Sequence, residues 1–445
     1  MTDDLLTLAA DLVARAKRHG ASDADAIAID RRTIDVAIRD GATERLEQAE
    51  GREVGLRVFV GQSSAIISGS KLDAASLERM AERAVTMARA APPDPFVGLA
   101  SVDQLSTEFP DLDLVANSLP DGDRLRAHAT ETEAAALGVH GVSKSGGADA
   151  SASERHHAIV ASNGFSGSYS RTMTSFSVSA IAGEGTGMER DYDYSAAVHA
   201  EDLKSAESIG QSAGTRAVRR LKPRKVESQA VPVIFDRRVA SSLAGHLVAA
   251  AMGPAIARKT SFLRDKLGQQ IFPSSISIID DPFRPRGLAS RPFDAEGLNG
   301  ARRAIIDQGI LTGWFLDLHA ARQLGLSPTG NASRGLSGPP GPSPSNLHVA
   351  PGAVTPAQLM GDINRGLYVT ELIGSGANIV TGDYSRGASG FWIENGELTF
   401  PVSEITIAGD LPTIFANLAA ANDLEFKSSS NAPTCRVEGL TIAGA

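Results

Sequence analysis

The stretch VPVIFDRRVASSLAGHLVAAAMGP, residues 231–254, decides how the last part of this 445-residue chain is interpreted. Its first five residues are rich in Val, Ile and Phe, and they predict a short strand. Asp236 is a suitable N-cap, and the Ala-, Val- and Leu-rich run that follows predicts a helix from Arg237 to Met252, ended by a Gly-Pro pair. A strand that leads directly into a helix therefore opens the third region of the chain.

Helical spacing places Val239, Leu243, His246 and Ala250 on one face of this predicted helix. A single histidine among apolar residues is more often a satisfied core residue than a metal ligand. Taken by itself, His246 therefore indicates packing rather than chemistry.

Other segments of the chain are distinctive, and they change that interpretation. They are GLRV at 55–58, FDAEG at 293–297, GDYSRGASGFWIENGE at 382–397 and FPVSEITIAG at 400–409. Together with the helix they resemble the TldD/PmbA family, and the last segment is especially similar to its PmbA branch, also called TldE. The resemblance covers essentially the whole chain. It implies an α+β fold, with an N-terminal α/β domain built on a mostly antiparallel sheet, a strand-rich middle region and a β-rich C-terminal domain.

The resemblance also shows what the helix lacks. TldD members carry His-Glu-x-x-x-His here, whereas this chain has Ser241 and Ser242 in place of the first His and the Glu, and keeps only His246. A hydrolytic zinc needs about three protein ligands and a nearby carboxylate that accepts a proton from water. A serine hydroxyl is neutral near pH 7 and replaces neither residue. The degenerate motif predicts no metal site and no catalytic residue on this chain.

A third zinc ligand is also expected to be missing. TldD-type chains supply a Cys near the C-terminus, and the single cysteine of this chain is Cys435. The run PTCRV around it, residues 433–437, aligns best with a terminal strand beyond the ligand position. Cys435 is therefore predicted to be a small buried hydrophobe.

The resemblance implies a PmbA/TldE-type, non-catalytic subunit of a zinc metallopeptidase complex that cleaves unfolded peptides. The zinc and the catalysis would lie on a TldD-like partner in a heterodimer, with a homodimer as a further possibility for the isolated chain. Family roles in the maturation of microcin-type peptide antibiotics and in antitoxin degradation would follow. We expect His246 and the loop Gly382–Gly390, with Tyr384, Ser385, Arg386 and Gly387, to lie near the substrate cleft. Two alternatives remain open: an autonomous homodimeric hydrolase with an unrecognised site, and a peptide-binding scaffold homodimer.

Composition sets broader limits. A content of 42% hydrophobic and 21% charged residues is typical of packed globular structure, and the length allows about three domains. We predict domains at 1–92, 110–225 and 231–445. One cysteine excludes an intramolecular disulfide framework, the N-terminus is acidic and helical, and no apolar run reaches the ~18 residues of a membrane span. The expected location is the cytoplasm, without a membrane partner.

Charge argues against a nucleic-acid partner. The formal net charge is −9, whereas nucleic-acid surfaces usually carry a basic patch. The compact basic run Arg219–Lys225 contains a Pro between two differently patterned segments. We interpret it as an exposed interdomain linker.

Periodicity predicts the main elements. Apolar residues from Leu5 to Ala16 form one face of a first helix, and a second helix begins near Asp73 with Leu77, Met80, Ala84 and Met87 on one side. The Gly-, Pro- and Ser-rich stretch 325–346 has no periodicity, and loops of that length are usually functional or disordered. Hairpin turns are predicted at Gly164 and at Asn395-Gly396. Strands are predicted at 34–38, 54–60, 157–161, 165–182, 304–307, 367–372, 390–394 and 398–407.

Two glycine motifs do not predict sites. Gly210–Gly214 matches the Gly-x-Ser-x-Gly nucleophile elbow, but that motif needs a preceding strand, and residues 203–209 look helical. Gly183–Gly187 has the wrong spacing for a dinucleotide fingerprint, and no βαβ unit follows it.

Overall fold

The first half of the chain forms one antiparallel sheet in the computed structural model, which describes residues 2–444. The sheet order is β3-β2-β1-β4-β5-β6, so strands from the first and second predicted regions lie side by side. β1 and β4 pair continuously from Asp25 opposite Ala161 to Ile38 opposite Ala148. The strands are β1 Asp23–Arg39, β2 Ala42–Val60, β3 Ser63–Gly69, β4 Val142–Ala161, β5 Ser166–Ala182 and β6 Glu189–Ala197.

Four helices cover one face of this sheet: α1 Thr2–Arg18, α2 Ala74–Ala90, α3 Gly122–Leu137 and α4 Ala206–Arg219. α1 and α2 share a core with Ala24 and Ala26 at one end of β1, and α3 and α4 share a core with Val36 and Ile38 at the other end. These β1 residues are separated by even numbers and therefore point to the same face. Ile27 points to the opposite face, where its cluster includes Phe293 of the third region.

The predictions for the first two helices are confirmed except at one residue, whereas the helix predicted from Arg237 to Met252 ends at Ala250, and the Gly253-Pro254 pair begins a further helix instead of ending it. Leu5 and Leu12 are fully buried in α1, and the Asp73 carboxylate caps α2 by accepting from the Ser76 N–H at 2.9 Å. Met87 was expected on the buried side of α2 but is 40% exposed. The buried face of α2 contains Val85 and Ala88 instead. Because successive helical residues are about 100° apart, these two residues lie closer to the sheet than Met87 does.

The third region contains a closed ring of strands. The order is β16-β15-β14-β7-β19-β17, and a further β16–β19 pairing closes the ring. A second sheet has the order β10-β9-β8-β13-β18. The strands are β7 Gln229–Phe235, β8 Ile278–Asp281, β9 Arg303–Asp307, β10 Ile310–Leu311, β11 Ala332–Ser333, β12 Gly341–Pro342, β13 Asn346–Val349, β14 Arg365–Ile373, β15 Asp383–Glu394, β16 Glu397–Asp410, β17 Leu418–Ala420, β18 Ser430–Asn431 and β19 Cys435–Ala443.

One helix of this region connects the two sheets. α5 buries Leu243 and Leu247 in a core that includes Phe235 of β7 and Val349 of β13. Its Asp236 cap accepts from the Arg238 N–H at 2.9 Å, as the sequence predicts. The helices are α5 Arg237–Ala250, α6 Gly253–Ala257, α7 Leu318–Leu324, α8 Pro356–Met360 and α9 Leu411–Ala416. No helix within residues 2–444 is long and apolar enough to cross a membrane.

The predicted loop Gly382–Gly390 is wrong, because strand β15 begins at Asp383. Its small residues serve close approach between strands rather than a turn. A Cβ at Gly390 would lie 1.9 Å from the carbonyl oxygen of Tyr368 in β14, and a register shift lies between Ala388 and Gly390. Only glycine permits that approach.

Two further interpretations need correction. The basic run Arg219–Lys225 does connect α4 to the third region, but the Arg220 side chain is only 11% exposed and makes ion pairs, so the run is not simply an exposed linker. The stretch 325–346 contains the short pair β11–β12, and the Arg334 side chain is 1% exposed.

The turn predictions and the fold class are confirmed. Asn395 and Gly396 have φ values of 50° and 80°, as a tight hairpin between β15 and β16 requires, and Gly164 has a φ of 99° between β4 and β5. Gly210 lies inside α4, where a Cβ would lie 2.3 Å from the Thr132 carbonyl oxygen of α3, so this motif serves helix packing. The elements confirm an α+β fold with an antiparallel N-terminal sheet.

Candidate functional site

Helix α5 borders a cavity of about 440 Å³. Ser241, Ser242 and Gly245 of α5 form one wall, because residues separated by three or four positions share a helix face. The other walls come from β6, β14 and the start of β15. The remaining lining residues are Arg190, Asp191 and Tyr192 of β6, Thr370, Glu371 and Leu372 of β14, Arg386 of β15, Ser430 of β18, Arg220 directly after α4, and Arg238 and Val239, which also belong to α5.

The two serines add little chemistry to this cavity. The Ser242 hydroxyl donates to the carbonyl of Val239, one turn earlier in α5, at 2.6 Å. Serine bonds of this kind are typical of helix interiors, and they occupy the hydroxyl proton. No general base is hydrogen-bonded to either serine within residues 2–444, so neither has the arrangement of an activated nucleophile.

His246 lies behind the cavity rather than in its wall. Its ring meets the Tyr384 ring edge to face, with centroids 5.6 Å apart and planes at 74°. The His246 Nε2 and the Tyr384 hydroxyl are both buried, and neither has a hydrogen-bond partner in the described part of the chain. Burial, with a smaller contribution from Arg386, lowers the pKa of His246, and burial raises the pKa of Tyr384. Both side chains are therefore neutral near pH 7.

Ion pairs between regions hold the opposite wall. Asp191 of β6 is 4% exposed and accepts from Arg238 of α5 at 2.7 Å, with Arg220 at 3.6 Å. Arg220 also donates to Glu371 of β14 and, at 2.9 Å, to the Ser389 hydroxyl. Sequence reasoning missed this network. Its members come from separate segments with no common spacing, and only the placement of an arginine directly after the α5 cap was visible.

The residues predicted for the cleft divide into three groups. Arg386 lines the same cavity as Ser241 and Ser242. Tyr384 packs on His246. Ser385 and Gly387 do not line this cavity: the Ser385 N–H donates to the Gly376 carbonyl at 2.7 Å, and Gly387 pairs within the sheet.

The chemistry around α5 does not fit a hydrolytic zinc ion. The cavity wall offers hydroxyls, guanidinium groups and two carboxylates, Asp191 and Glu371. Both carboxylates are already paired with arginines, and guanidinium groups repel a cation. The one imidazole faces a phenol. Cys435 is fully buried, and burial raises the pKa of its thiol to about 12, which disfavours the thiolate that binds metal. No group of three or more His, Cys, Asp and Glu side chains in residues 2–444 is placed to hold a metal ion.

Comparisons with known proteins agree with this fold along the whole chain. Models of the PmbA/TldA metallopeptidase domain 1, central domain and C-terminal domain match residues 24–88, 117–221 and 228–444. Metalloprotease PmbA from Escherichia coli O157:H7 is 37% identical over 430 residues, which are 96% of this chain and 93% of that protein. The chain belongs to the PmbA/TldD metallopeptidase family.

Other relatives extend this assignment. A metalloprotease PmbA homolog from Haemophilus influenzae is 36% identical over 92% of this chain and 90% of its own length. The crystal structure of a Bacteroides thetaiotaomicron protein described as a modulator of DNA gyrase superposes with a TM-score of 0.92, at 30% identity and full coverage of both chains. TldE from Thermococcus kodakarensis has a TM-score of 0.87 at 20% identity, covering 98% of this chain and all of that one, and shares the fold. The family resemblance drawn from the sequence is confirmed.

Proposed function

We propose that this chain is a PmbA/TldE-type, non-catalytic subunit of a zinc metallopeptidase complex that cleaves unfolded peptides in the cytoplasm. The α5 cavity supports this proposal most directly. In a metallopeptidase family member, the positions of a zinc-binding His and a catalytic Glu are held by Ser241 and Ser242, and the cavity beside them is lined by arginines. Catalysis would then belong to a TldD-like partner that carries the zinc.

An exposed sheet edge supports a role in holding extended chains. β3 covers β2 only from Val54 to Val60, so within the described residues the edge of β2 from Ala42 to Glu53 has no neighbouring strand on that side. Residues 42–50 are exposed. Free backbone N–H and C=O groups at such an edge can pair with an added peptide strand with little regard to its sequence.

Reconstitution with the partner tests the proposal. The purified chain, a TldD-like chain from the same organism and their mixture are each assayed for cleavage of an unstructured peptide. We expect no cleavage by this chain alone, cleavage by the mixture, and loss of cleavage when the partner's motif Glu is replaced by Gln. Peptide hydrolysis by this chain alone would overturn the proposal.

Metal analysis and one variant separate the alternatives. An autonomous metallohydrolase would contain stoichiometric metal and lose activity with a chelator, whereas we expect no stoichiometric zinc in this chain. Ser212→Ala removes the serine of the Gly-x-Ser-x-Gly sequence inside α4, and we expect it to leave the activity of the mixture unchanged. A scaffold homodimer would neither co-purify with the TldD-like chain nor change its activity.

A further inference from the structure

Three strands of the N-terminal sheet bring arginines together in one row. Arg31 of β1 is opposite Arg155 of β4, and Arg155 is opposite Arg171 of β5. Residues directly opposite in an antiparallel sheet point to the same face, and like charges in that position are destabilising. Within the sheet, Glu53 of β2 lies 3.8 Å from Arg31 and partly compensates its charge.

Part of this row lines a second cavity, of about 450 Å³, between the sheet and the third region. We call it the interdomain cleft. Arg155 and Arg171 lie on its sheet side, and Arg291 and Arg334 lie on the opposite side. Next to the arginines, the cleft has an apolar wall formed by Ile27, Ile29, Ile159, Tyr169 and Phe293.

The charges in the interdomain cleft are largely uncompensated. Within residues 2–444, Arg155, Arg171 and Arg291 have no carboxylate within 4 Å. Arg171 donates to the backbone carbonyls of Gly287 and Leu288 at 3.2 and 2.6 Å, which are neutral acceptors. The one carboxylate in the lining, Asp294, already accepts from three backbone N–H groups.

Some arginine donors are also buried beside the cleft without a partner among residues 2–444. The Arg334 side chain is 1% exposed and donates to Asp25 through Nη1, but its Nε and Nη2 have no partner in the described part of the chain. The Arg291 Nε is likewise buried without a partner. A buried donor without a partner carries a desolvation penalty. The pKa values agree: burial and the neighbouring arginines lower the pKa of Arg171, and they lower that of His157 to about 3.

We propose that the interdomain cleft binds a carboxylate of an extended peptide together with an adjacent apolar side chain. A planar carboxylate can accept from two guanidinium groups at once, which suits a cleft lined by arginines on both sides. Arg155 and Ile159 are four residues apart on β4, about 13 Å, so one short extended segment can reach both. The identification of the ligand as a peptide rests on the proposed function. The expectation that the ligand is an anion rests on the arginines alone.

The test measures peptide binding to the full chain by isothermal titration calorimetry, without the TldD-like partner. The probe is acetyl-Leu-Ala-Leu with a free C-terminus, compared with its C-terminal amide and with acetyl-Leu-Ala-Asp amide. We expect at least one carboxylate peptide to bind about tenfold or more tightly than acetyl-Leu-Ala-Leu amide. Tighter binding of the free acid would assign the site to a chain end, and tighter binding of the Asp peptide to an acidic side chain. Equal binding of all three peptides, or stronger binding of inorganic phosphate than of either carboxylate peptide, would overturn the proposal.

Two variants distinguish binding from a structural role. Arg155→Gln removes a cleft arginine that makes no ion pair, and we expect about tenfold weaker binding of the carboxylate peptide without a lower melting temperature. Arg171→Gln should weaken binding similarly, but it also loses two backbone contacts. The control is Arg32→Gln, because Arg32 lies on the other face of β1, 3.3 Å from Glu50. Unchanged affinity in Arg155→Gln would overturn the proposal, and the reconstituted peptidase assay reports separately on the proposed function.

Discussion

The α5 cavity and the interdomain cleft are both lined by several arginines, but different numbers of these arginines are paired with carboxylates: Arg386 is unpaired among the described residues of the first, and Arg334 is paired in the second. In the α5 cavity, Arg220 and Arg238 each have a carboxylate partner from another strand, and Asp191 links them. In the interdomain cleft, Arg155 and Arg171 face each other without a carboxylate. Paired arginines hold regions of the chain together, whereas unpaired ones leave charge available for a ligand.

The largest expected effect lies in the α5 cavity. Asp191→Ala removes the carboxylate that Arg220 and Arg238 share. Leaving a buried charge without any partner costs about 3–5 kcal/mol, and because Arg220 keeps Glu371 and Arg238 keeps Asp236 at 3.4 Å, we expect a loss near the lower end, about 3 kcal/mol. Urea denaturation of the variant should show this loss in the free energy of unfolding. The control is Asp149→Ala, because Asp149 is 3.9 Å from Arg45 with both side chains more than half exposed, and surface pairs contribute at most about 1 kcal/mol. A similar small change in both variants would contradict the structural role of the pairing.

The second prediction concerns pH and a buried carboxyl, Glu296, two residues along the chain from Asp294 of the interdomain cleft. Burial raises the pKa of Glu296 to about 8, despite the opposing effect of Arg57, and burial also raises the pKa of the neighbouring Asp294. A carboxyl whose pKa is raised on folding contributes stability below its unfolded pKa and loses it as pH rises through the folded value. Stability from Glu296 should therefore fall between about pH 4.5 and 8.

Glu296→Gln tests this pH dependence. The amide oxygen can still accept from the Leu318 N–H, which lies 2.8 Å from the carboxyl, and the side chain cannot ionise. Urea midpoints measured from pH 5 to 8 should fall less in this variant than in the original chain. Asp25 does not interfere, because its pKa is lowered on balance by Arg334 and Arg57 against a large opposing effect of burial, and its contribution is lost only at lower pH. Glu397→Gln, an exposed change, should keep the original profile; identical profiles for all three proteins would contradict the assignment.

Substituting two tyrosines tests whether the Tyr384 hydroxyl, near the α5 cavity, lacks a hydrogen-bond partner. Tyr384→Phe removes a buried hydroxyl that has no partner, so stability should stay constant or rise by up to about 1 kcal/mol. Tyr368→Phe removes a hydroxyl that donates to Asp236 at 3.0 Å, and it should lose about 1–2 kcal/mol. Chemical denaturation compares the two. Equal losses would mean that the Tyr384 hydroxyl is satisfied in solution.

The smallest expected effect is in the arginine row. Arg155→Gln relieves like-charge repulsion across β4 and β5, so the free energy of unfolding should rise by a few tenths of a kcal/mol. Thermal unfolding at low ionic strength should show the increase, and salt should reduce it because screening weakens exposed charges. A clear destabilisation would mean that Arg155 makes a structural contact.

Structural elements that depend on residues close together in the chain could be predicted from the sequence. The Asp73 and Asp236 caps, the alternating strands and the Asn395-Gly396 turn depend on neighbouring residues, and the structure has them where expected. The Gly382–Gly390 segment was misread because Gly387 and Gly390 are required by close contact with the neighbouring strand β14, whereas only Gly382, before β15 begins, has a positive φ. The same holds for Gly210, whose contact is with α3.

Features formed by residues far apart in the chain could not be predicted from the sequence. Asp191, Arg220, Arg238 and Glu371 meet only because β6, α4, α5 and β14 converge. The arginine row required the register of three strands, since Arg31 and Arg155 are more than a hundred positions apart in the chain. What the sequence did indicate at the site was the replacement chemistry of Ser241 and Ser242, because it lies on one helix.

The closure of the ring in the third region imposes an order of assembly during synthesis. β7 begins the region, but one of its neighbours is β19, which ends at Ala443. At about 5–20 residues per second, the ribosome needs roughly 10–40 s to make the intervening chain. The N-terminal sheet can form during this interval. In contrast, β7 and the α5 site beside it cannot be completed until the last strand, β19, has been synthesised. A prematurely terminated chain would thus retain the first sheet and lack a completed α5 cavity.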